Sequence, residues 1–153
     1  PSRGLGDVYK RQIIDCFDGM PITWTVGTSP NAELVNTMLD NAIVLLKENE
    51  HPIVHSDRGC HYRWSGWIQR MDEAGLTRSM SKKGCSPDNS ACEGFFGRMK
   101  NEMFYGFEKD YPSFEVFSKA IADYIDYYNN SRIQAKTKWM PPSKFREASM
   151  MEA

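Results

Sequence analysis

The sequence has few of the residues from which many metal sites are built. Only four cysteines and three histidines occur among its 153 residues, and no two cysteines form a C-x-x-C pair. Zinc ribbons and zinc fingers depend on such spacing, so a structural zinc site is disfavoured, and we expect free thiols in a reducing cytoplasm. No apolar run approaches the ~20 residues that a membrane-spanning helix needs, so we expect no membrane contact.

The chain also lacks a strong net charge, since 19 basic side chains nearly balance 20 acidic ones and leave a formal charge of −1. The balance is uneven along the chain. Residues 1–57 hold four basic and eight acidic side chains, whereas residues 132–147 hold five basic side chains and one acidic one. A weakly basic carboxyl-terminal stretch permits contact with nucleic acid without requiring it, because an ordinary solvated surface has the same composition.

The residues that are present indicate one ordinary globular domain, with 41% hydrophobic and 25% charged residues. Alternating and β-branched residues predict strands at 13–17, 21–28, 52–55 and 76–80, the first two joined by an Asp18-Gly19 turn. Apolar residues at helical spacing predict helices at 30–48, 62–74, 90–105 and 113–129. Strands that alternate with helices predict an α/β fold with a mixed sheet flanked by helices.

The two ends of the chain differ in composition from its middle. The chain begins with proline, and residues 1–12 resemble a translated adaptor, so we expect a fragment with a non-native end. Residues 13–130 are then predicted to form the folded core. Residues 131–153 are predicted to be a basic extension interrupted by prolines.

Two acidic residues lie where a site is expected. The stretch VHSDRGCHY runs from a short apolar strand directly onto Asp57, and sites in such sheets lie beyond the carboxyl ends of parallel strands. Glu93 falls in the first turn of a predicted helix and shares a face with Gly97 and Lys100. Each acid alone has a simpler explanation, since Asp57 suits a turn and Glu93 a helix start.

Four features in order resemble the integrase-like transposases of bacterial insertion sequences, which are relatives of retroviral integrases. They are the segment HSDRG, the 35 residues between Asp57 and Glu93, the segment SMSKKGCSPDNSACEGFF, and the later YNNSR and MPPSKF. The resemblance covers residues 13–147. It implies a ribonuclease-H-like mixed sheet flanked by helices, and an intact protein that cuts and joins DNA strands during transposition.

The resemblance also implies the residues of the site. The family uses two aspartates and a glutamate to hold two divalent ions, usually Mg²⁺ or otherwise Mn²⁺, and such hard ions prefer oxygen ligands. Asp57 matches the second aspartate and Glu93 the glutamate, and both are expected catalytic metal ligands. Residues expected to contact DNA are Lys100, at a matching basic position, and Lys82, Lys83 and Arg132.

The chain departs from the family's pattern at its start. The first aspartate, normally in a W-x-D-x-T context on the first strand, would fall before Pro1, so that strand is expected to be missing or replaced. Asp15 belongs to the segment IIDCFDGM, which resembles the second strand, and we expect it to be a structural acid or one that orients a metal ligand, rather than a ligand itself. We therefore expect an active parent enzyme and an impaired fragment, so that enzymatic activity of this chain itself is left open.

The resemblance implies partners as well. These are DNA at the element ends and at the target, further copies of the chain, and an upstream helix-turn-helix region or protein, all in the bacterial cytoplasm at the nucleoid. Two alternatives stay open at this point: a non-catalytic DNA-binding or assembly remnant, and another two-metal nuclease of the ribonuclease-H type. The YNNSR and MPPSKF motifs favour the transposase over that nuclease.

Overall fold

A computed structural model describes residues 8–84 and 89–153. The strands are β1 (Tyr9–Ile14), β2 (Pro21–Gly27), β3 (Ile53–Ser56) and β4 (Thr77–Met80). The α-helices are α1 (Ala32–Val44), α2 (Ser65–Glu73), α3 (Ser90–Met99), α4 (Phe114–Asn130) and α5 (Pro142–Met151). Short 3₁₀ turns lie at Cys60–Arg63, Glu108–Asp110 and Ala135–Thr137, and a π-helical segment, Lys100–Phe104, continues α3. Within these residues, no helix is both long and apolar enough to cross a membrane.

The predicted α/β class is confirmed, and the strands of the described residues pair two by two. β1 pairs with β2. β3 runs parallel to β4, with Ile53 opposite Thr77 and Ser56 opposite Met80. Parallel strands need a crossover, and the chain between these two contains α2. The carboxyl ends of β3 and β4 therefore lie side by side, at Ser56 and Met80.

The chain forms two compact units. The first unit contains residues 8–13 and the described residues of 23–93, and the second contains residues 14–22 and 94–153. The core of the first unit comes from α1, α2 and the residue before β4: Val35, Met38, Leu39, Trp67, Met71 and Leu76. Ile13 of β1 and Val54 of β3 both pack against this core.

The core of the second unit is built mainly on α4. The buried side chains of α4 recur at a spacing of three to four residues, as predicted: Phe117, Ile121, Tyr124, Ile125 and Tyr128. The ring of Phe95 on α3 meets Tyr128 edge to face, with centroids 5.0 Å apart. Ser113 caps α4, because its hydroxyl accepts the N–H of Val116 at 3.2 Å.

Three elements, β1, α1 and α2, begin at other residues than predicted. β1 covers Tyr9–Ile14 rather than 13–17, so it starts inside the segment expected to be non-native. α1 begins at Ala32 rather than at residue 30, because the Asn31 side chain caps it by accepting the N–H of Leu34 at 2.9 Å. The helix predicted at 62–74 starts as a 3₁₀ turn and becomes α2 only at Ser65.

Two elements near the carboxyl end were not predicted. The helix expected at 90–105 changes to π geometry at Lys100–Phe104, and a π segment is a local response to packing that periodicity does not reveal. The stretch 131–153, predicted only as a basic extension, contains α5, which has a proline in its first turn. Residues 85–88, which belong to the motif SMSKKGCSPDNSACEGFF, lie outside the described residues.

Candidate active site

Asp57 lies one residue beyond β3, at the carboxyl end of the parallel pair, and its side chain is exposed. Its Oδ1 accepts the N–H of Gly59 at 2.7 Å, which forms an Asx turn. A Cβ at Gly59 would lie 2.9 Å from that oxygen, so glycine lets the turn close on the carboxylate. The turn uses Oδ1 only, and Oδ2 has no hydrogen bond or ion pair within the described residues. The turn role and the ligand role of Asp57 are thus compatible.

The end of β3 is held in place by His55. Its Nδ1 lies 2.9 Å from the hydroxyl of Ser79 and its Nε2 lies 3.1 Å from the hydroxyl of Ser81. The N–H of Ser81 also donates to the carbonyl of Ser56 at 3.0 Å. Both ring nitrogens are therefore occupied in fixing the strand end that carries Asp57, and a metal ion would have to displace a hydroxyl to bind the imidazole.

Tyr62 connects Asp57 with the start of α3. Burial raises the pKa of Tyr62, Arg11 on β1 lowers it, and the charges of Asp57 and Cys92 raise it further. Coulombic effects weaken with distance, so Asp57 and Cys92 both lie near this phenol. Cys92 directly precedes Glu93, so Asp57 and the neighbour of Glu93 both influence one tyrosine of the first unit.

Glu93 lies in the first turn of α3, where the positive end of the helix dipole favours an acid, and its side chain is exposed. Within the described residues it forms no hydrogen bond or ion pair. Gly97 follows on the same helix, and a Cβ there would meet nothing within 4 Å. Lys100 is exposed but begins the π-helical segment, so the uninterrupted α-helical face predicted through Lys100 ends at Met99.

The other basic residues predicted to contact DNA have different surroundings. Lys82 and Lys83 are exposed in the loop after β4, and their DNA contacts stay predictions. Arg132 instead has a carboxylate partner, because its Nε donates to both oxygens of Glu102, at 2.9 and 3.0 Å. A phosphate would have to compete with Glu102 for this guanidinium, which also lies 5.6 Å from the Tyr128 ring centroid.

The Glu102 site is a polar network inside the second unit. The hydrogen bond from Arg132 lowers the pKa of Glu102, and the same bond raises the pKa of Arg132. The hydroxyl of Tyr124 donates to Glu102 at 2.8 Å, and the pKa of Tyr124 is raised by burial and by this carboxylate. The network joins the end of α4 to the π-helical segment, which the spacing of the sequence did not indicate.

Asp15 has the structural role that its position in the sequence predicted. Its Oδ2 accepts a hydrogen bond from Arg146 on α5 at 2.9 Å, and its Oδ1 accepts the N–H of Phe17 at 2.9 Å. The neighbouring Asp18 accepts from the Nε of the same arginine at 2.6 Å. Both aspartates therefore fasten the turn after β1 to α5.

Sequence reasoning missed Tyr62 and Arg11, whose charge lowers the pKa of Tyr62. Tyr62 and Arg11 come from a 3₁₀ turn and from β1, and no spacing rule relates them to Asp57. The Nε of Arg11 is buried and has no hydrogen-bond partner among the residues the structure describes. Only the folded structure shows that this hydrogen-bond donor is buried without an acceptor.

Two family models, each described as integrase core domain, match residues 2–86 and 93–150 of this chain. The first of these matches alone covers more than half of the sequence. The chain belongs to the integrase core domain family.

Named relatives of this integrase core are bacterial. It is 52% identical over 143 residues to a Shigella flexneri protein named "Probable transposase for insertion sequence element IS1353", over 94% of this chain and 28% of that protein. An uncharacterized transposase-like protein of Haemophilus influenzae is 41% identical over 95% of the chain and 66% of its own length. The transposase for insertion sequence element IS629 of Shigella sonnei is 30% identical, over 96% of this chain and 49% of that protein. The chain thus spans between 28% and 66% of these relatives.

Two solved structures have the same fold. The catalytic core domain of BIV integrase superposes with a TM-score of 0.69 at 13% identity, over 97% of this chain and 92% of that one. The second structure is a chain of the simian T-cell lymphotropic virus intasome in complex with PP2A regulatory subunit B56 gamma. It gives a TM-score of 0.64 at 14% identity, over 84% of this chain and 48% of that one. The predicted integrase-like, ribonuclease-H-like fold is therefore confirmed.

Proposed function

We propose that this integrase core is the catalytic part of a bacterial insertion-sequence transposase, which cuts and joins DNA strands with divalent metal ions. The observation that carries the proposal is the 52% identity with the transposase-named protein of Shigella flexneri over 94% of the chain. The proposed partners are DNA at the element ends and at the target, further copies of the chain, and an upstream helix-turn-helix region. The proposed place of action is the bacterial cytoplasm, at the nucleoid.

The residues proposed to hold the metal are Asp57 and Glu93. Both are exposed, and neither is ion-paired within the described residues. Carboxylate oxygens suit Mg²⁺ and Mn²⁺, which retain several waters and so need few protein ligands. Bound ions would activate the attacking water or 3′-hydroxyl and stabilise the leaving oxygen in an in-line displacement.

The ligand set formed by these two residues is incomplete. In residues 8–84 and 89–153, no group of three or more His, Cys, Asp or Glu side chains could hold a metal ion. The proposal assigns the third ligand to an aspartate on a strand upstream of this chain. This chain by itself is accordingly proposed to be impaired, while its intact parent is active.

The separate pairing of the four strands supports the proposal of a further strand upstream. β1–β2 and β3–β4 are separate pairs in the described residues, yet Ile13 and Val54 pack on one core in the first unit. Two-stranded sheets have marginal stability on their own. A strand between β1 and β3 would join the pairs into one mixed sheet, bring its aspartate near Asp57, and offer acceptors to the buried Nε of Arg11.

A binding experiment tests the metal ligands. Mn²⁺ binding to the full chain is measured by calorimetry or electron paramagnetic resonance for the wild type, Asp57→Asn and Glu93→Gln. Either substitution is expected to abolish Mn²⁺ binding, because a single remaining carboxylate does not form a metal site. Asp72→Asn removes an exposed acid of α2 and serves as the matched control. Wild-type affinity in Asp57→Asn would show that the proposed ligands are wrong.

A cleavage experiment tests the reaction. A labelled duplex that carries an element end is incubated with Mg²⁺ and either this chain or the chain extended by its natural upstream segment. The extended chain is expected to nick the duplex, and Asp57→Asn is expected to abolish nicking. Robust cleavage by this chain alone would overturn the proposed impairment. An extended chain that binds metal but never cleaves would overturn the transposase proposal.

A further inference from the structure

The turn after α4 has an unusual backbone. Lys138 has a φ of +53° and Trp139 a φ of +61°, and no other non-glycine residue among those the structure describes has a positive φ. The left-handed region is unfavourable for any residue with a Cβ, and two such residues in succession persist only where the surroundings impose them. Strain of this kind concentrates at sites that present a side chain in a set direction.

Buried residues impose this backbone. The N–H of Trp139 donates to the carbonyl of Gln134 at 2.9 Å, and the N–H of Met140 donates to the carbonyl of Thr137 at 3.0 Å. The hydroxyl of Thr137 lies 2.6 Å from the carbonyl of Met140. Thr137 and Gln134 are only 1% and 6% exposed, so the turn rests on an ordered base.

The side chains at the tip of the turn point into solvent. Trp139 is 69% exposed, whereas Trp67 is 3% exposed and the remaining two tryptophans are half-buried. Lys136 and Lys138 precede it in the sequence and are exposed, and residues 132–146 contain no acidic side chain. Neither lysine forms an ion pair within the described residues.

Other charged residues lie close to Lys136. Burial lowers the pKa of Lys136, and the charges of Arg98 and Arg132 lower it further, while Asp18 raises it. The side chain of Lys136 passes directly over Gly19, where a Cβ would collide with the amine. Lys136 therefore has two arginines and one aspartate in its surroundings, while Lys138 directly precedes the exposed indole. An exposed indole beside lysines suits a nucleic-acid strand, because bases stack on aromatic rings and phosphates bind ammonium groups.

We propose that Lys136, Lys138 and Trp139 form a binding site for an unpaired nucleotide of DNA. The indole of Trp139 stacks on the base, and the two ammonium groups contact the neighbouring phosphates. The strained backbone orients the ring before DNA arrives, so that little further ordering accompanies binding. The inference rests on the proposed function, because it takes DNA to be the substrate.

The first test compares two DNA probes. Binding of the full chain to a labelled duplex with a single-stranded overhang and to the blunt duplex is measured by fluorescence anisotropy. Trp139→Ala is expected to weaken overhang binding about five- to hundredfold and to leave blunt binding unchanged, since a stacked base is lost. Trp139→Phe retains an aromatic face and is expected to keep most of the affinity. Because Trp139 is exposed, equal melting temperatures of the variants exclude misfolding as the cause.

A second test uses the fluorescence of the tryptophan itself. Acrylamide quenches exposed indoles first, and Trp139 is the most exposed of the four. The overhang DNA is expected to protect the quenchable fraction in the wild type. In Trp139→Phe the protection is expected to vanish although anisotropy still shows binding. Unchanged protection in Trp139→Phe would overturn the inference.

The lysines are tested by salt dependence. Lys136→Gln and Lys138→Asn are each expected to reduce the slope of log affinity against log salt by about 0.7 for a single strand. Asparagine is chosen at position 138 because it tolerates the left-handed backbone. Slopes equal to that of the wild type in both variants would overturn the phosphate contacts.

The outcomes separate this inference from the proposed function. Wild-type DNA binding that Trp139→Ala leaves intact overturns the inference alone. An equal loss on overhang and blunt DNA overturns the stacking on an unpaired base. A wild-type chain that binds neither probe overturns the proposed function and, with it, this site.

Discussion

Arg146 ties α5 to the turn after β1, and its removal measures how strongly that tie stabilises the second unit. Its Nε lies 2.6 Å from Oδ2 of Asp18, and its Nη2 lies 2.9 Å from Oδ2 of Asp15. The side chain of Asp18 is 0% exposed, whereas those of Arg146 and Asp15 are 27% and 42% exposed. Burial alone would lower the pKa of Arg146, but the hydrogen bond and charge of Asp18 more than offset this and raise it.

Arg146→Ala is expected to lower the free energy of unfolding by about 3 kcal/mol, because it leaves a buried carboxylate without its cation. Of these hydrogen bonds Asp18 would then keep only that from the N–H of Met20, which donates to its other oxygen at 2.9 Å, and the charge of Lys136 would remain nearby. The value is set at the low end of the ~3–5 kcal/mol range for broken buried pairs, since the partly exposed guanidinium would be replaced by water. For a chain of this size, such a loss lowers the melting temperature by roughly 6–12 °C.

The assay is urea unfolding followed by circular dichroism, in which the midpoint should fall while the slope stays the same. Lys144→Ala is the matched control on the same helix. Lys144 pairs with Glu147 at 3.0 Å, but both side chains are more than 60% exposed. That substitution is expected to change the free energy of unfolding by no more than about 0.5 kcal/mol.

A double-mutant cycle decides whether the buried charge is the cause. Asp18→Asn removes the charge that Arg146→Ala would leave unpaired, so Arg146→Ala is expected to cost only about 1 kcal/mol in that background, a coupling of about 2 kcal/mol. The reasoning is refuted if Arg146→Ala costs less than about 0.5 kcal/mol, or if its cost is the same in both backgrounds.

Three further predictions concern other contacts. The hydrogen bond from Arg132 lowers the pKa of Glu102. The pair therefore stabilises the fold fully above the ordinary glutamate pKa of about 4.3, and this stabilisation is lost as the pH falls through the lowered pKa. The stability difference between the wild type and Arg132→Gln should therefore shrink in acid, and a constant difference from neutral pH to acid would contradict this. Gly75→Ala should cost about 1–2 kcal/mol in thermal unfolding, because Gly75 has a φ of +66° and its Cβ would approach His51 to 3.0 Å; an unchanged melting temperature would count against it. Ser113→Ala should cost about 1 kcal/mol in urea unfolding through loss of the α4 cap, whereas Ser113→Asp should retain the cap; equal losses would argue against capping.

The regular helices were the most predictable part of the fold. The period of α4 and its cap at Ser113 are local properties, because neighbours three and four residues apart decide them. The start of β1 and the existence of α5 were less predictable. β1 is stabilised by its pairing with β2, and α5 by the ion pairs of Arg146, so both depend on partners distant in sequence.

The residues of the candidate site also differ in how well the sequence predicts their position. Asp57 at a strand end and Glu93 in a first helical turn could be predicted, since strand and helix boundaries leave signals in the sequence. Their metal ligation stays a prediction. The partner of Arg132 could not be predicted, because Glu102 lies thirty residues away and reaches it from a π-helical segment. Trp139 was also missed, since a left-handed tryptophan has no sequence signature.

The sequence by itself determined the α/β order of the elements, the two acidic positions and the resemblance to integrase cores, because periodicity, turn residues and motif spacing are read along the chain. Only the tertiary structure decided which charges are engaged. It joined Arg132 to Glu102 and Arg146 to Asp15 and Asp18, and it left Lys136 and Lys138 without ion pairs among the described residues. The physical reason is that an ion pair depends on distance in space, which the folded backbone sets and local sequence does not.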